Sequence, residues 1–321
     1  MSAERVLRAL GAGTELSGAA LAQHLSVTRA AIWKQVMRLR ALGVPVEAVA
    51  GRGYRLARPV ELLDAARIEA GLGAGARSCA RGVTVAFELD STNSELLRRP
   101  PGTAHGEVCL AEYQHGGRGR RGRRWHSPLA ANLYGSVGWR FESGAAALGG
   151  LSLAVGVAAL RALERCGVTG VELKWPNDLV AGGDKLGGVL IELGGEITGP
   201  CDAVIGVGIN VAMPPCTADA IDQPWTDVAT LAPGTTREAL AIALFDELLP
   251  ALSRYERDGF APFRAAFERA DALRGREIRL DPGRGVLAGT ALGVDEHGLL
   301  RVLVDGIEQR FASGEASLRV R

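Results

Sequence analysis

Apolar positions in the first sixty residues recur at helical spacing and then change to the spacing of strands. Val6, Leu7 and Leu10 predict a first helix, and Ser17 is placed to cap a second one over Gly18 to Leu25. After a short Ser26-Val27 turn, Thr28 can cap a third helix that runs to about Leu42 and ends at Gly43. In it Ile32, Val36 and Leu39 fall at i, i+4 and i+7 and face inward, while Arg29, Trp33, Lys34 and Arg40 lie on or near the other side. Val44 to Val49 and Tyr54-Arg55-Leu56 then read as two strands around a Gly51-Arg52-Gly53 turn. Two helices joined by a tight turn, followed by a hairpin, predict a winged helix-turn-helix over residues 1–60.

Glu61 to Gly71 reads as a short connecting helix. From Val83 to about Ala270 short apolar runs alternate with polar turns. Strands are expected at Val83 to Phe87, Val108 to Gln114, Leu133 to Trp139, Val171 onward into a polar turn ending at Asp178, and Ala203 to Asn210. Leu179-Val180 and Leu186 to Leu193 form a hairpin around Gly182-Gly183-Asp184. Helices are expected at about Ser94 to Arg98, Ala145 to Cys166, Asp246 to Gly259 and Pro262 to Ala270. Because the strands come mostly in hairpins, a mixed or antiparallel sheet backed by helices fits better than a doubly wound one. Beyond it, Arg276 to Leu280, Gly285 to Leu292, Leu299 to Val304 and Ile307 to Phe311 are short strands. The turns between them are Asp281-Pro282-Gly283, Asp295 to Gly298 and Asp305-Gly306. The expected whole is an α+β multidomain chain with units at 1–60, 61–272 and 273–321, the last a small β-barrel.

Charge sharpens this division. Residues 1–60 carry nine Lys/Arg against three Asp/Glu, although the whole 321-residue chain has a net charge of only +1. An anionic partner for the first unit follows, with Arg29 on the third helix and Arg52 at the wing tip as candidates, and a helical protein-interaction module as the alternative. The uncharged run Ser143 to Leu160 has the small residues of a buried helix rather than a membrane span, and Glu4, Arg5 and Arg8 break any leader pattern at the N-terminus. The five cysteines, Cys79, Cys109, Cys166, Cys201 and Cys216, are scattered and form no metal or disulfide motif, so a cytoplasmic protein without a structural metal is expected.

The chemistry concentrates in Gly116-Gly117-Arg118-Gly119-Arg120-Arg121-Gly122-Arg123-Arg124, with five arginines in seven residues and no Asp or Glu from Tyr113 to Arg140. Glycines let backbone N–H groups approach a ligand, and each guanidinium offers a fork of donors to phosphate or carboxylate. A loop closing over such a ligand and a solvated basic patch are both compatible with it. Gly117, Gly119 and Gly122 formally fit GxGxxG, but no helix can open at Arg123 to Pro128, which excludes a dinucleotide fold; the GK[ST] of a phosphate-binding P-loop is also missing. The polar cluster Asp90-Ser91-Thr92-Asn93-Ser94 can hold a polar ligand head or simply cap a helix, and capping is the simpler reading of those residues alone. Only three lysines occur, Lys34, Lys174 and Lys185, against 34 arginines.

Gly-Arg-Gly-Arg-Arg-Gly-Arg at 117–123, Lys-Trp-Pro-Asn-Asp at 174–178, Lys-Leu-Gly-Gly-Val-Leu at 185–190, Gly-Ile-Asn at 208–210 and Gly-Glu-Ala-Ser-Leu-Arg at 314–319 together resemble the biotin protein ligases, in order along the whole chain. With the N-terminal winged helix, the chain is similar to the bifunctional type that also represses the biotin operon. That resemblance implies a class II synthetase-like central domain of biotin/lipoate ligase type and an SH3-like C-terminal barrel. It implies a two-step reaction: biotin and MgATP give biotinyl-5′-AMP and pyrophosphate, and a lysine of a biotin carboxyl carrier protein, an acetyl-CoA carboxylase subunit, then takes the biotinyl group. Biotin contacts fall on Ser91, Thr92, Asn93, Gln114, Arg118, Gly119, Arg120 and Lys185, with Trp125 packing on the thiophane. Nucleotide contacts fall on Arg120, Arg121, Lys174, Asn177, Asn210, Trp225 and Arg319. Lys185 and Arg118 are the expected catalytic cations, and Asp178 handles the acceptor amine, caps a turn or helps to hold Mg²⁺. Thr28, Arg29, Trp33, Lys34 and Arg52 are the expected contacts to operator DNA, and a ligand-promoted homodimer is implied as well. A ligase whose winged helix does not bind DNA is the alternative; lipoate ligases share the fold, but the arginine loop and Lys-Trp-Pro-Asn-Asp favour biotin. The arginine loop becomes a lid whose order depends on ligand.

Overall fold

The computed structural model describes residues 2–11, 15–195, 199–214, 220–281, 286–312 and 317–320. Cys216, the Pro282-Gly283 turn, the start of the third-last predicted strand at Gly285 and Gly314 to Ala316 lie outside the described residues, as does the Arg319 side chain.

Three helices, α1 (Ala3–Leu10), α2 (Gly18–His24) and α3 (Arg29–Ala41), precede the hairpin β1 (Val46–Val49) and β2 (Gly53–Leu56). Their caps are the expected ones. The Ser17 hydroxyl accepts from the Ala20 N–H at 3.0 Å and the Thr28 hydroxyl from the Ala31 N–H at 3.2 Å. Ile32, Val36 and Leu39 are fully buried together with Val6, Leu7, Leu10 and Leu21. This small core also takes in Leu129 and touches Phe87 and Tyr113, so the winged helix rests on the chain that follows the arginine loop.

The connection departs from expectation. Glu61 to Asp64 are not helical, and α4 (Ala65–Gly71) starts only after Asp64, whose carboxylate accepts from Arg67 N–H at 3.0 Å. The reason is tertiary: the Glu61 carbonyl accepts from Arg237 and the Leu63 N–H donates to Glu112, which holds the segment extended. Glu112 and Arg237 are themselves buried and paired at 2.7 Å.

After α5 (Ala74–Arg77), β3 (Gly82–Ala86) leads into α6 (Thr92–Leu97), β4 (Glu107–Ala111) and β5 (Leu133–Phe141). A 3₁₀ turn at Ala145–Leu148 precedes α7 (Leu151–Arg165). The single predicted helix is therefore broken, at Gly149 and Gly150; Gly150 has φ +77 and a Cβ there would meet the Phe260 ring at 2.9 Å. Next come β6 (Val171–Lys174), β7 (Asp178–Ala181), β8 (Asp184–Gly195) and β9 (Cys201–Ile209), with a cis Trp175–Pro176 bond between β6 and β7. Helices α8 (Val228–Leu231), α9 (Arg237–Asp258) and α10 (Ala261–Arg269) follow. The helix expected from Asp246 thus begins nine residues earlier, behind a Thr236 cap, and carries Pro250 inside it.

The seven strands are ordered β3-β4-β5-β9-β8-β7-β6; β3 and β4 are parallel and all other neighbours antiparallel, a mixed sheet as expected. Helices α7 and α9 bury one face, where Phe245 lies against Gly135. Helix α6 lies on the other face over β4, β5 and β9. Leu133, Val137, Ile205, Val207 and Ile209 make this sheet fully apolar on the α7–α9 side. At about 25 cal/mol per Å² of apolar surface removed from water, such burial is the main source of its stability.

The last strands, β10 (Glu277–Asp281), β11 (Leu287–Val294), β12 (Leu300–Val304), β13 (Ile307–Phe311) and β14 (Ser317–Val320), form an antiparallel sheet ordered β13-β12-β11-β10-β14. Strand β14, unread in the sequence, pairs with β10 and carries Arg319 opposite Arg279. Trp175 bonds the Gly298 carbonyl through its indole N–H at 3.2 Å, which ties the end of β6 to this last unit.

Candidate active site

The α6 face of the sheet holds a cavity of about 560 Å³, lined by Ser91, Thr92, Asn93, Gln114, Arg118, Gly119, Arg120, Trp125, Asn177 and Lys185 among others. Two glycines of β9 make the room. A Cβ at Gly206 would lie 2.3 Å from Asn93 Oδ1, and one at Gly208 would lie 2.7 Å from the Trp125 indole. Asn93 and Trp125 therefore stack on bare backbone, two residues apart along the strand.

At the Gly206 level the polar groups form a continuous chain. The Gln114 carboxamide oxygen accepts from Thr92 N–H at 2.9 Å and from its hydroxyl at 3.2 Å, while the Gln114 amide donates to Ser127 Oγ at 3.1 Å. Ser136 Oγ, fully buried in β5, lies 2.7 Å from Thr92 Oγ1 and 2.6 Å from Asn93 Oδ1, and has one proton for the two. The Asn93 amide donates to the Leu190 carbonyl at 3.3 Å and to Glu192 at 2.7 Å. Buried hydroxyls and amides linked in this way offer donors and acceptors to a small polar head.

At the Gly208 level the site turns cationic. Lys185 Nζ donates to Asp178 Oδ1 at 2.7 Å and stands 5.7 Å above the Trp125 ring. Its backbone is fixed on both sides: Lys185 N–H donates to Pro224 O at 3.1 Å, and Lys185 O accepts from Thr226 N–H at 3.0 Å and from the Asn210 amide at 3.3 Å. The arginine loop folds back on itself, with Gly119 N–H donating to Arg123 O at 2.7 Å and Trp125 N–H to Gly117 O at 2.9 Å. Arg120 reaches Asn177 Oδ1 at 3.4 Å, and burial first, then the neighbouring Arg121 charge, lowers its pKa. A guanidinium whose charge is disfavoured in this way is stabilised by an arriving anion. His126 at the rim is likewise held below its ordinary value by burial and by Arg124. Among the described residues the buried Trp125 indole N–H has no hydrogen-bond partner.

The remaining expected residues lie apart from the lining. Asp178 stands behind Lys185; Asn210 is buried and bonded to Lys185 and Thr226 carbonyls; Trp225 pairs with Lys185 through the backbone. Arg121 is exposed with φ +57, and Lys174 is half-buried on β6. Ser127, Ser136, Glu192 and Gly206 were not read in the sequence as parts of the site, and Gly208 was read only as the first residue of the Gly-Ile-Asn motif. On the winged helix, Thr28, Arg29, Trp33, Lys34 and Arg52 are all exposed, Thr28 as the cap of α3 and Arg52 paired with Glu15 at 3.3 Å.

Residues 86–210 match the Biotin/lipoate A/B protein ligase family, residues 3–55 an HTH domain and residues 274–319 the Biotin protein ligase C terminal domain. Mixed sheet, cationic cavity and winged helix thus define a protein ligase of the biotin/lipoate class. The chain is 40% identical over 315 residues, 98% of its length and 96% of the relative's, to the bifunctional ligase/repressor BirA of Escherichia coli (strain K12), and it belongs to the family of bifunctional biotin protein ligases. It is 36% identical to the biotin–[acetyl-CoA-carboxylase] ligase of Mycobacterium tuberculosis over 75% of this chain and 90% of that protein. The structure of the Aquifex aeolicus biotin protein ligase in complex with biotin and ATP superimposes with a TM-score of 0.65 at 27% identity, covering 75% of this chain and all of that one.

Proposed function

We propose that the chain joins biotin to ATP, giving biotinyl-5′-AMP and pyrophosphate, and then passes the biotinyl group to a lysine of a biotin carboxyl carrier protein. The observation that carries this is the order of groups along β8 and β9: amides and hydroxyls beside Gly206, then Trp125 over Gly208, with Lys185 above its ring. Strand residues two apart are separated by roughly 6–7 Å, so a ligand with a polar ring at one end and a carboxylate at the other spans both levels. A ureido ring presents one carbonyl acceptor and two N–H donors to Ser91, Thr92, Asn93 and Gln114.

In the first step a carboxylate oxygen bonds to the α-phosphorus and the bond to pyrophosphate breaks. Two anions must meet, and Lys185 with Arg120 and Arg121 supplies the opposing charge, while Arg118 sets the entry of the loop that carries those arginines. The arginine loop then covers the mixed anhydride and excludes water. In the second step the acceptor amine attacks the acyl carbon, AMP leaves, and Asp178, already bonded to Lys185, orients the amine and takes its proton. Asn177, Lys174, Asn210, Trp225 and Arg319 are assigned to the nucleotide, Asn210 acting through the Lys185 backbone. Mg²⁺ fits as an ion carried on the triphosphate. No cluster of three or more metal-ligating side chains occurs among the described residues, and Mg²⁺ needs only one or two carboxylates beside phosphate oxygens; Asp178 would be the one to serve it in the first step, before the acceptor amine arrives. Bound there, it would neutralise charge on the phosphates.

The winged helix is assigned to operator DNA through Arg29, Trp33, Lys34 and Arg52, with repression and self-association promoted by bound adenylate, in the cytoplasm. Among the described residues no helix is long and apolar enough to cross a membrane. One observation favours ligase activity alone: Arg52 and Arg55 of the wing are paired with Glu15 and Glu47, which reduces the charge offered to phosphate. Incubation with a biotin carrier domain, biotin and ATP is expected to add one biotinyl group to the carrier's mass. Labelling with lipoate in place of biotin, or none with biotin, contradicts the assignment. Gel shifts with and without biotin and ATP separate repressor from ligase alone.

A further inference from the structure

Glu192 takes no part in the steps above, yet both halves of the site converge on it. It lies on β8 and its carboxylate receives the guanidinium of Arg118 in a fork, with Nε to Oε1 at 3.1 Å, Nη2 to Oε1 at 3.0 Å and Nη2 to Oε2 at 2.9 Å. Its Oε2 also accepts from the Asn93 amide at 2.7 Å. The remaining Arg118 nitrogen, Nη1, donates to Ser94 Oγ at 2.7 Å. Arg118 is the first arginine of the loop and Asn93 belongs to the polar chain beneath it. One carboxylate therefore holds the lid and fixes the direction of an amide that lines the cavity.

We propose that Glu192 is a positioning residue that latches the entry of the arginine loop to the sheet and orients Asn93 for the ligand. The identity of that ligand rests on the ligase reading. A bidentate charge-assisted pair sets orientation as well as energy. The pair is about two-thirds shielded, with side-chain exposures of 31% and 28%, so salt screens it less than a surface pair. The loop also needs a negative partner here. Arg118, Arg120, Arg121, Arg123 and Arg124 repel one another, and Glu192 meets the loop at its first arginine. Removing its charge frees the loop entry and leaves Asn93 with a weaker anchor.

The loop contains its own reporter, since trypsin cuts after arginine. Limited trypsin digestion of the ligand-free full chain, with cuts after Arg118 to Arg124 mapped by mass spectrometry, measures how often the loop opens. Glu192→Gln is expected to speed cutting in this segment about tenfold, as loss of one partly shielded charged fork implies. Glu192→Asp should fall between it and wild type. Cutting after Arg120 to Arg124 should be as fast in Arg118→Ala, and the double variant Arg118→Ala/Glu192→Gln no faster than either, because both changes break the same contact. Wild-type cutting rates in Glu192→Gln, or effects that add in the double variant, overturn the latch. If Glu192→Gln is cut throughout the chain because it does not fold, the comparison of Arg118→Ala with Glu192→Asp decides in the same way. In turnover, Glu192→Gln should raise KM for biotin about tenfold while kcat changes less than about threefold; an equal fall of kcat with unchanged KM contradicts the orienting role. Failure of wild-type protein to label a carrier would remove the ligase reading and leave the digestion result standing.

Discussion

Two tryptophans set in arginine-rich surroundings, Trp125 in the cavity and Trp33 on α3, are treated in opposite ways. Trp125 lies on Gly208 with Lys185 above its ring, within reach of a chain of hydroxyls and amides that share protons. Trp33 is 59% exposed, next to Lys34 and one helical turn from Arg29, with solvent around each of them. The cavity is a coupled unit: every group borrows its direction from a neighbour, so removing one alters several. The recognition face is a set of separate contacts whose strength falls with salt. The same residue types thus serve selectivity for a small ligand in one place and attraction to a long polyanion in the other.

The comparison can be broken at several depths. The largest effect is expected for Lys185→Ala, which should slow biotin-dependent pyrophosphate release roughly 10²- to 10³-fold with the melting temperature little changed; near-normal release removes Lys185 from the chemistry. Gly208→Val comes next. Its side chain would occupy the place of the Trp125 indole, and biotin affinity measured by calorimetry should fall on the order of tenfold to a hundredfold. Unchanged affinity would mean that the glycine floor does not shape the site. A smaller effect tests coupling directly: Ser136→Ala and Asn93→Ala, single and combined, should show an interaction energy of about 1 kcal/mol in biotin binding. Arg29→Ala and Lys34→Ala in operator binding should simply add. Smallest of all, Arg29→Ala should reduce the slope of log affinity against log salt by about one. Equal additivity in both regions would erase the distinction.

How legible each region was follows from the range of its interactions. The winged helix rests on local rules: Ser17 and Thr28 cap the next turn, and Ile32, Val36 and Leu39 share one helix face, so its helices lie where periodicity puts them. The cations of the cavity were legible too, because a run of arginines without an acid is visible in composition. Its floor was not. Gly206 and Gly208 look like weak points in an apolar strand until β9 is paired between β5 and β8 and brought under α6. Ser136 and Glu192 acquire meaning only through the same pairing. The extended Glu61 to Asp64 was hidden for the same reason, since its partners Glu112 and Arg237 are 49 and 176 residues away from Leu63 and Glu61. Gly150 shows the reverse error: a local signal passed over in the Ala145 to Cys166 reading breaks that helix where the backbone packs against Phe260.

Adenylate formation is reversible, so the exchange of labelled pyrophosphate into ATP reports the proposed chemistry without a carrier or DNA. With purified chain, ATP and Mg²⁺, exchange is predicted to appear on adding biotin, to stay at background with lipoate, and to vanish in Lys185→Ala. Exchange that does not depend on biotin, or that is as fast with lipoate, would contradict the account.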